Sequence, residues 1–306
     1  MSSSLRVRGG GVVCVALLVL GGCTSSSPAT HRVTGSAVSP PATPPTLTHS
    51  APISAPPRLR HLVVVLEENR SYHDIVGRPQ APYLNSLVLQ GASLTDYVAV
   101  AHPSEPNYLA LFAGSTRGLG DDSCPHTFTG ANLAGELLAA RRTFVGYSEG
   151  LPAAGDETCS NGSYARKHNP WSDFPALPAN VNQPMSAFPT DYDRLPDVAF
   201  VVPDMHDDMH DGSVQQADTW LRTTLSGYVR WASTHDSALV VTWDEDDHSE
   251  GNQVPAIIVG DHVHPQLVAT RADHYTLLRT VEWLFGLPAA GASAQRVPLT
   301  SIWATR

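Results

Sequence analysis

Ser104, in the run Ala101-His102-Pro103-Ser104-Glu105-Pro106-Asn107, is the hydroxyl of this 306-residue chain best placed to act as a nucleophile. It stands at the mouth of an apolar stretch, Tyr108-Leu109-Ala110-Leu111-Phe112-Ala113, that has no internal breaker and can propagate as a helix. Pro106 suits the first turn of that helix, where a missing N–H costs nothing. A hydroxyl at such an N-terminus sits where unpaired N–H groups and the helix dipole favour an anion, so it can meet a phosphate. A serine there can equally cap the helix, and this segment alone leaves both roles open.

Carboxylates, imidazoles and amides recur at three further places, each just after a short apolar run. Glu67-Glu68-Asn69-Arg70-Ser71 follows residues 62–66. Asp204-Met205-His206-Asp207-Asp208-Met209-His210-Asp211-Gly212 follows residues 198–202 and Pro203, and Asp244-Glu245-Asp246-Asp247-His248 follows residues 238–243. So many carboxylates in one place repel one another and raise their own pKa values unless a cation sits among them. Carboxylate, amide and hydroxyl oxygens suit a hard or borderline divalent ion, which would lower the pKa of the Ser104 hydroxyl and polarise a phosphoryl oxygen. Each acidic run taken alone also reads as a solvated turn.

Among the histidines, His210 is the strongest acid–base candidate, because Asp208 and Asp211 flank it and a carboxylate can orient its ring. His206 and His210 are four apart, but Pro203 and Gly212 bracket them, so a loop is expected and not a zinc-binding helix. His168 belongs to a locally basic patch, Arg166-Lys167-His168, that could face a phosphate. His274 opens a helix, where the dipole disfavours imidazolium unless an anion is present. His61, His248, His262 and His264 are expected at the surface.

These residues need elements to hold them. The all-apolar run 62–66 and the largely apolar runs 143–147, 198–202, 238–243 and 256–259 read as strands, and 94–100 as a further strand before Ser104. Helical spacing marks 82–90, 107–113, 132–142, part of 214–234, and 274–285, with Gly91 and Gly286 as stops. Residues 148–192, rich in Pro, Gly, Asn and Ser, read as a long loop over the sheet edge. Strands alternating with helices predict an α/β fold, a three-layer α/β/α sandwich with a mostly parallel sheet. Ligands of such sheets gather at the carboxyl ends of the strands, which is where the polar clusters fall.

The ends of the chain carry other signals. Arg6 and Arg8, the apolar run 12–20 and Leu20-Gly21-Gly22-Cys23 resemble a bacterial lipoprotein signal peptide over residues 1–22, with Cys23 as the lipidated residue. Residues 23–57, rich in Ser, Thr, Pro and Ala, read as a disordered tether, leaving 58–306 as one domain. Beyond residue 22 the chain has 17 basic against 29 acidic residues. That excess of acid argues against a nucleic-acid partner and leaves a small phosphorylated ligand open. The membrane is expected to be met only through the N-terminal lipid. Cys124 and Cys159 then remain, and an exported setting suggests one disulfide between them, two free thiols being the alternative.

Glu68-Asn69 after a Val-rich run, Asp208-Met209-His210-Asp211-Gly212, Trp243-Asp244-Glu245 and His274-Tyr275 together resemble the bacterial phosphoesterase family of acid phosphatases and phosphatidylcholine-type phospholipases C, within the alkaline-phosphatase-like superfamily. Ser104-Glu105-Pro106-Asn107 also resembles the Thr-x-Pro-Asn turn of nucleotide pyrophosphatase/phosphodiesterases in that superfamily. The likeness runs from about residue 61 to about 288 and extends to secreted mycobacterial acid phosphatases of the family. It implies one divalent metal held by Glu68, Asn69, Ser104, Asp244 and Glu245. It further implies a phosphoserine on Ser104, with Asn107, His168, His210 and His274 around the phosphate and Asp208 on the substrate side. It implies phosphate monoesters, phosphoinositides or other phospholipid head groups among them, as substrates of an exported acid phosphatase. Phosphodiester cleavage, or phosphate-ligand binding without turnover, is the alternative. The Asp-Glu pair after Trp243 departs from members that carry two aspartates.

Overall fold

The computed structural model describes residues 55–304. The signal-peptide and lipidation readings, Cys23 included, and residues 23–54 of the tether lie outside the described residues. In chain order the elements are β1 (His61–Glu67), α1 (Tyr72–Ile75), α2 (Pro82–Gln90), β2 (Ala92–Leu94), β3 (Tyr97–Val98), α3 (Ser104–Ala113), α4 (Leu133–Ala139), β4 (Phe144–Ser148), β5 (Ser160–Asn161), β6 (Tyr164–Ala165), β7 (Asn182–Pro184), β8 (Val198–Val202), α5 (Val214–Ala232), β9 (Ser237–Trp243), β10 (Ala256–Gly260), β11 (Gln266–Val268), β12 (Ala272–Asp273) and α6 (His274–Phe285).

Eight strands form the central sheet in the order β11-β2-β10-β9-β1-β8-β4-β7. β9, β1, β8, β4 and β7 run parallel, and β10 is antiparallel to both its neighbours. The parallel strands are apolar along nearly their whole length because both faces are covered. α2 and α5 pack together on one face, and α3, α4 and α6 on the other, which completes the three layers. Phe112 of α3 anchors the second face against Phe144, Phe174 and Phe200, with ring centroids 5.6, 5.7 and 6.1 Å away. Trp171 lies flat on β4 at Gly146, where a Cβ would come within 2.2 Å of its ring.

Three elements differ from expectation. Residues 94–100 are two short strands in different sheets: β2 ends at Leu94 in the main sheet, and β3 pairs with β12 instead. Thr95 and Asp96 make the break, and the pairing brings Tyr97 beside the start of α6. Helix α3 begins at Ser104, three residues earlier than the apolar run suggests, and all ten of its residues are buried. The helix expected over 132–142 stops at Ala139, since Arg141 takes φ 60° and Thr143 turns to Asp197. The long segment 148–192 also carries structure: the β5–β6 hairpin, edge strand β7 and several 3-10 turns. Cys124 and Cys159 are joined by a disulfide.

Two histidines expected outside are not. His61 is buried at the start of β1 with Nδ1 against the Pro196 carbonyl, and His262 is largely covered beside Asp236.

Candidate active site

Four chain segments meet at the carboxyl ends of β1, β8 and β9 and at the start of α3. Alternation along β1 separates its last residue from the next one. Glu67 is buried where the carboxylates of Asp207, Asp218 and Glu149 act on it, whereas Glu68 turns towards α3. Asn69, at φ 53°, bends the chain sharply, a conformation that Asn tolerates better than most residues. Met209, between Asp208 and His210, is held at φ 83°, a rare value for a bulky residue. Such strain persists only where the surroundings impose it, and it concentrates at functional sites.

Glu68 is the centre of the constellation. Its Oε2 accepts from Ser104 Oγ at 3.0 Å and from Asn69 Nδ2 at 3.3 Å, and its Oε1 accepts from Tyr108 Oη at 2.7 Å. Ser104 Oγ therefore donates to a carboxylate and does not cap its own helix. His168 is stacked on Tyr108, with ring centroids 4.9 Å apart. Its Nε2 stands 3.0 Å from Glu68 Oε1 without the angle of a hydrogen bond, and its Nδ1 stands 3.5 Å from Asp208 Oδ2. The backbone N–H of Asn69 donates to Asp244 Oδ1 at 3.2 Å.

Around this centre are residues that hold the loops. Asn107 accepts from the N–H groups of Val100 and Ala101 through Oδ1. Through Nδ2 it donates to the carbonyls of Ala101 and Pro103 and to Glu245 Oε2, so its amide fixes the turn before the nucleophile. His274 is fully buried, with Nε2 donating to the Asp244 carbonyl at 2.7 Å and Nδ1 accepting from Tyr97 Oη at 2.8 Å. A carbonyl can only accept, which fixes that tautomer. Both ring nitrogens are thus taken by protein atoms. His210 is partly exposed, 6.2 Å from the His168 ring between centroids, and its Nδ1 meets Asp211 Oδ1 at 2.8 Å.

Residues 78–288 match the phosphoesterase family. The chain is 50% identical over 254 residues to the phosphatidylinositol-3-phosphatase of Mycobacterium tuberculosis, covering 82% of this chain and 85% of that one. The chain belongs to the phosphoesterase family. It is also 30% identical over 246 residues to an acid phosphatase of Aspergillus fumigatus, covering 73% of this chain but only 54% of that protein. Among solved structures, a protein in the alkaline phosphatase superfamily from Vibrio parahaemolyticus superposes with a TM-score of 0.54 at 14% identity, covering 83% of this chain and 76% of that one. That likeness concerns the fold alone. Together with these phosphatase relatives, membership makes this phosphoesterase a phosphoric monoester hydrolase acting on a phosphorylated small molecule.

The electrostatics of the phosphoesterase site are those of crowded anions. Burial, then Glu68, drives the Asp208 carboxyl well above its usual range; burial, Glu68 and Glu245 do the same to Asp244. Glu245 is pushed up to about 8, by burial first and Glu68 second. Burial drives the His168 imidazole well below its usual value and lowers His274 to about 4, so both rings are neutral. Asp208 Oδ2 and Asp244 Oδ2 are buried with no hydrogen-bond partner. Two orphaned carboxylate oxygens beside Glu68 and a neutral imidazole form a donor set that fits a cation. Single ligand atoms of Glu68, His168 and Asp208 already lie within 4.8 Å of one another.

Of the residues singled out from sequence, Glu68, Asn69, Ser104, Asp208, Asp244 and His168 converge here, and Glu245, Asn107, His210 and His274 border them. A reading of Asp244 to Asp247 as a solvated turn holds only for Asp247, since the other three are buried. Asp246 serves as a loop anchor, accepting from the N–H groups of His248, Glu250 and Asn252. Tyr108, Tyr97, Asp122 and Lys167 were missed as individuals. Lys167 pairs with Asp122 at 2.7 Å, and Asp122 accepts from the Glu105 N–H at the start of α3. Tyr108 carried a signal, being four residues from Ser104 on one helix face.

Proposed function

We propose that this phosphoesterase is an exported, lipid-anchored acid phosphatase that removes monoester phosphate through a phosphoserine on Ser104, with phosphatidylinositol 3-phosphate as a substrate. The observation that carries the reading is the 3.0 Å contact from Ser104 Oγ to the Glu68 carboxylate inside a buried, under-coordinated acid cluster. The named substrate of the M. tuberculosis relative supports the choice of ester. Residues 20–23 support the anchor, and among the described residues no helix is long and apolar enough to cross a membrane.

One divalent cation is proposed, with Glu68, Asn69, Asp244, Ser104, His168 and Asp208 as the residues that would hold it and Glu245 beside them. Bound there, a divalent cation lowers the pKa of a hydroxyl and offsets phosphoryl charge. The chain's own residues do the rest. Ser104 Oγ attacks phosphorus as its proton passes towards the carboxylate it already faces, and the bond from phosphorus to the leaving oxygen breaks. His210, its ring oriented by Asp211, gives the leaving oxygen a proton. Water then attacks the phosphoserine, releasing inorganic phosphate and restoring the hydroxyl. Asn107 and His274 keep the nucleophile turn and Asp244 in place.

The test is acid quenching of the enzyme during turnover of p-nitrophenyl phosphate, followed by phosphopeptide mapping. Phosphate should appear on the peptide that contains Ser104, and Ser104→Ala should lower kcat by about a thousandfold or more. Undiminished turnover by Ser104→Ala would remove the nucleophile from the proposal.

A further inference from the structure

Lys167 is the single lysine of this sequence; wherever else the chain carries a permanent positive side chain, it uses arginine. That one ammonium stands beside the proposed catalytic centre. His168, the next residue, reaches Glu68 Oε1 at 3.0 Å, and Lys167 Nζ donates to Asp122 Oδ2 at 2.7 Å. The other oxygen of Asp122 accepts from the Glu105 N–H at 2.9 Å, so one carboxylate links the ammonium to the residue that follows Ser104. We propose that Lys167 binds an oxygen of the phosphoryl group in transfer, and that Asp122 positions its ammonium. The proposal rests on the phosphoserine reading above and adds a catalytic residue to that same site.

Arg166 and Lys167 are adjacent cations put to different uses. The Arg166 guanidinium is buried and donates to the carbonyls of Glu157 at 2.8 Å and Ser172 at 2.9 Å and to Asp173 Oδ1 at 3.3 Å, which ties it into the fold. Lys167 is partly open to solvent, and among the described residues its ammonium has one hydrogen bond, that to Asp122. Two of its three N–H groups are left for a ligand. Its charge acts on the centre itself. Burial raises the Glu68 carboxyl, and the Lys167 ammonium is the strongest influence drawing it back. Lys167 likewise opposes the rise of Glu245, which burial, Glu68 and Asp122 drive. A compact ammonium with rotating donors can follow a phosphoryl oxygen as charge moves onto it, whereas a planar guanidinium favours fixed, paired acceptors.

The pair is mounted from two sides. Asp122 lies two residues before Cys124, Lys167 lies eight after Cys159, and a disulfide joins the two cysteines across 35 residues. The β5–β6 hairpin then carries the chain from Cys159 towards Lys167, closed by the Arg166 N–H on the Cys159 carbonyl at 3.0 Å. An ion pair that water can reach adds little to stability. What this mounting supplies is a fixed place for the ammonium next to the nucleophile turn.

A single ε-amino group allows a direct footprint. Protein dialysed against a divalent cation is treated with an N-hydroxysuccinimide ester of acetate, and the peptide that contains Lys167 is followed by mass spectrometry. Saturating inorganic phosphate should slow its acetylation about tenfold or more, in wild type and in Ser104→Ala alike. Equal rates with and without phosphate overturn the contact. In kinetics, Lys167→Met should lower kcat/KM for p-nitrophenyl phosphate about a hundredfold, with part of the loss in kcat, and should weaken inhibition by inorganic phosphate about tenfold. Lys167→Arg should recover part of both. Asp122→Asn keeps an oxygen for the Glu105 N–H, so its expected loss of about tenfold reports on the ammonium, and it should add nothing to Lys167→Met. Additive losses, or Lys167→Met with phosphate inhibition unchanged, would leave the pair a structural contact and overturn the proposal. A fully active Ser104→Ala would remove the phosphoserine alone, because phosphate protection of Lys167 in that variant still decides the contact.

Discussion

Glu282 and Asp244 are both fully buried carboxylates, and the fold treats them in opposite ways. Glu282, on α6, accepts from the Ala290 N–H at 2.8 Å, from Ser293 Oγ at 2.9 and 2.8 Å on its two oxygens, and from Arg279 Nη1 at 3.2 Å. Every side of that carboxylate is spoken for. Asp244 has the Asn69 N–H on one side-chain oxygen and nothing on the other, with Glu68 and Glu245 as near anions. Glu282, which serves the fold, is saturated with donors; Asp244, left short beside Glu68 and Glu245, keeps a lone pair that suits a cation arriving from outside.

Swapping each carboxylate for its amide should separate the two roles. Asp244→Asn is expected to lower kcat/KM for p-nitrophenyl phosphate roughly a thousandfold, about 4 kcal/mol of transition-state stabilisation, while leaving unfolding stability nearly intact because it relieves repulsion. Glu282→Gln should do the reverse, costing about 2 kcal/mol in denaturant unfolding with kcat/KM within about twofold of wild type. If Glu282→Gln lost activity to the same degree, the distinction between the two carboxylates would fail.

Tyr108→Phe gives a smaller effect on the same contrast. Its hydroxyl donates to Glu68 at 2.7 Å and is the fixed partner on that side of the carboxylate. Removing it should cost about tenfold in kcat/KM, the usual scale for a group that orients a ligand, and about 1 kcal/mol of stability. An unchanged kcat/KM would show that Glu68 needs no such orientation.

The mildest effect is on pH dependence. Glu245 keeps its proton in the folded protein up to about 8, against an ordinary value of 4.5, and Glu68, Asp208 and Asp244 are raised too. Between those limits the folded chain binds protons that the unfolded chain has released, so stability falls as pH rises through the window. Thermal unfolding of chelated protein should therefore improve from pH 8 down to pH 5 or so. A saturating divalent cation, which favours the ionised carboxylates, should flatten that slope. A chelated protein most stable at pH 8 would contradict the crowding of these groups.

Much of this was legible in the chain. Ser104 stood out because a turn and an unbroken apolar helix surround it, and the acidic runs stood out because each follows an all-apolar strand. Other features needed the third dimension. Tyr97 reaches His274 only because β3 pairs with β12, and no local pattern announces a two-residue strand in a separate sheet. Asp122 reaches the start of α3 from a loop tied down by the Cys124–Cys159 bridge, 35 residues in span. His61 misled because one polar residue at a strand's first position reads as exposed, whereas Pro196 and Trp231 cover it. The split of Glu67 and Glu68 between faces followed from strand alternation and could have been stated from sequence.

Metal content per chain after dialysis against a divalent cation, compared across wild type, Asp244→Asn and Glu282→Gln, probes the reserved lone pair most directly. Wild type and Glu282→Gln should each retain one ion, and Asp244→Asn should retain almost none. Full retention by Asp244→Asn, or an equal loss in Glu282→Gln, would contradict a cation held beside Ser104 by these carboxylates.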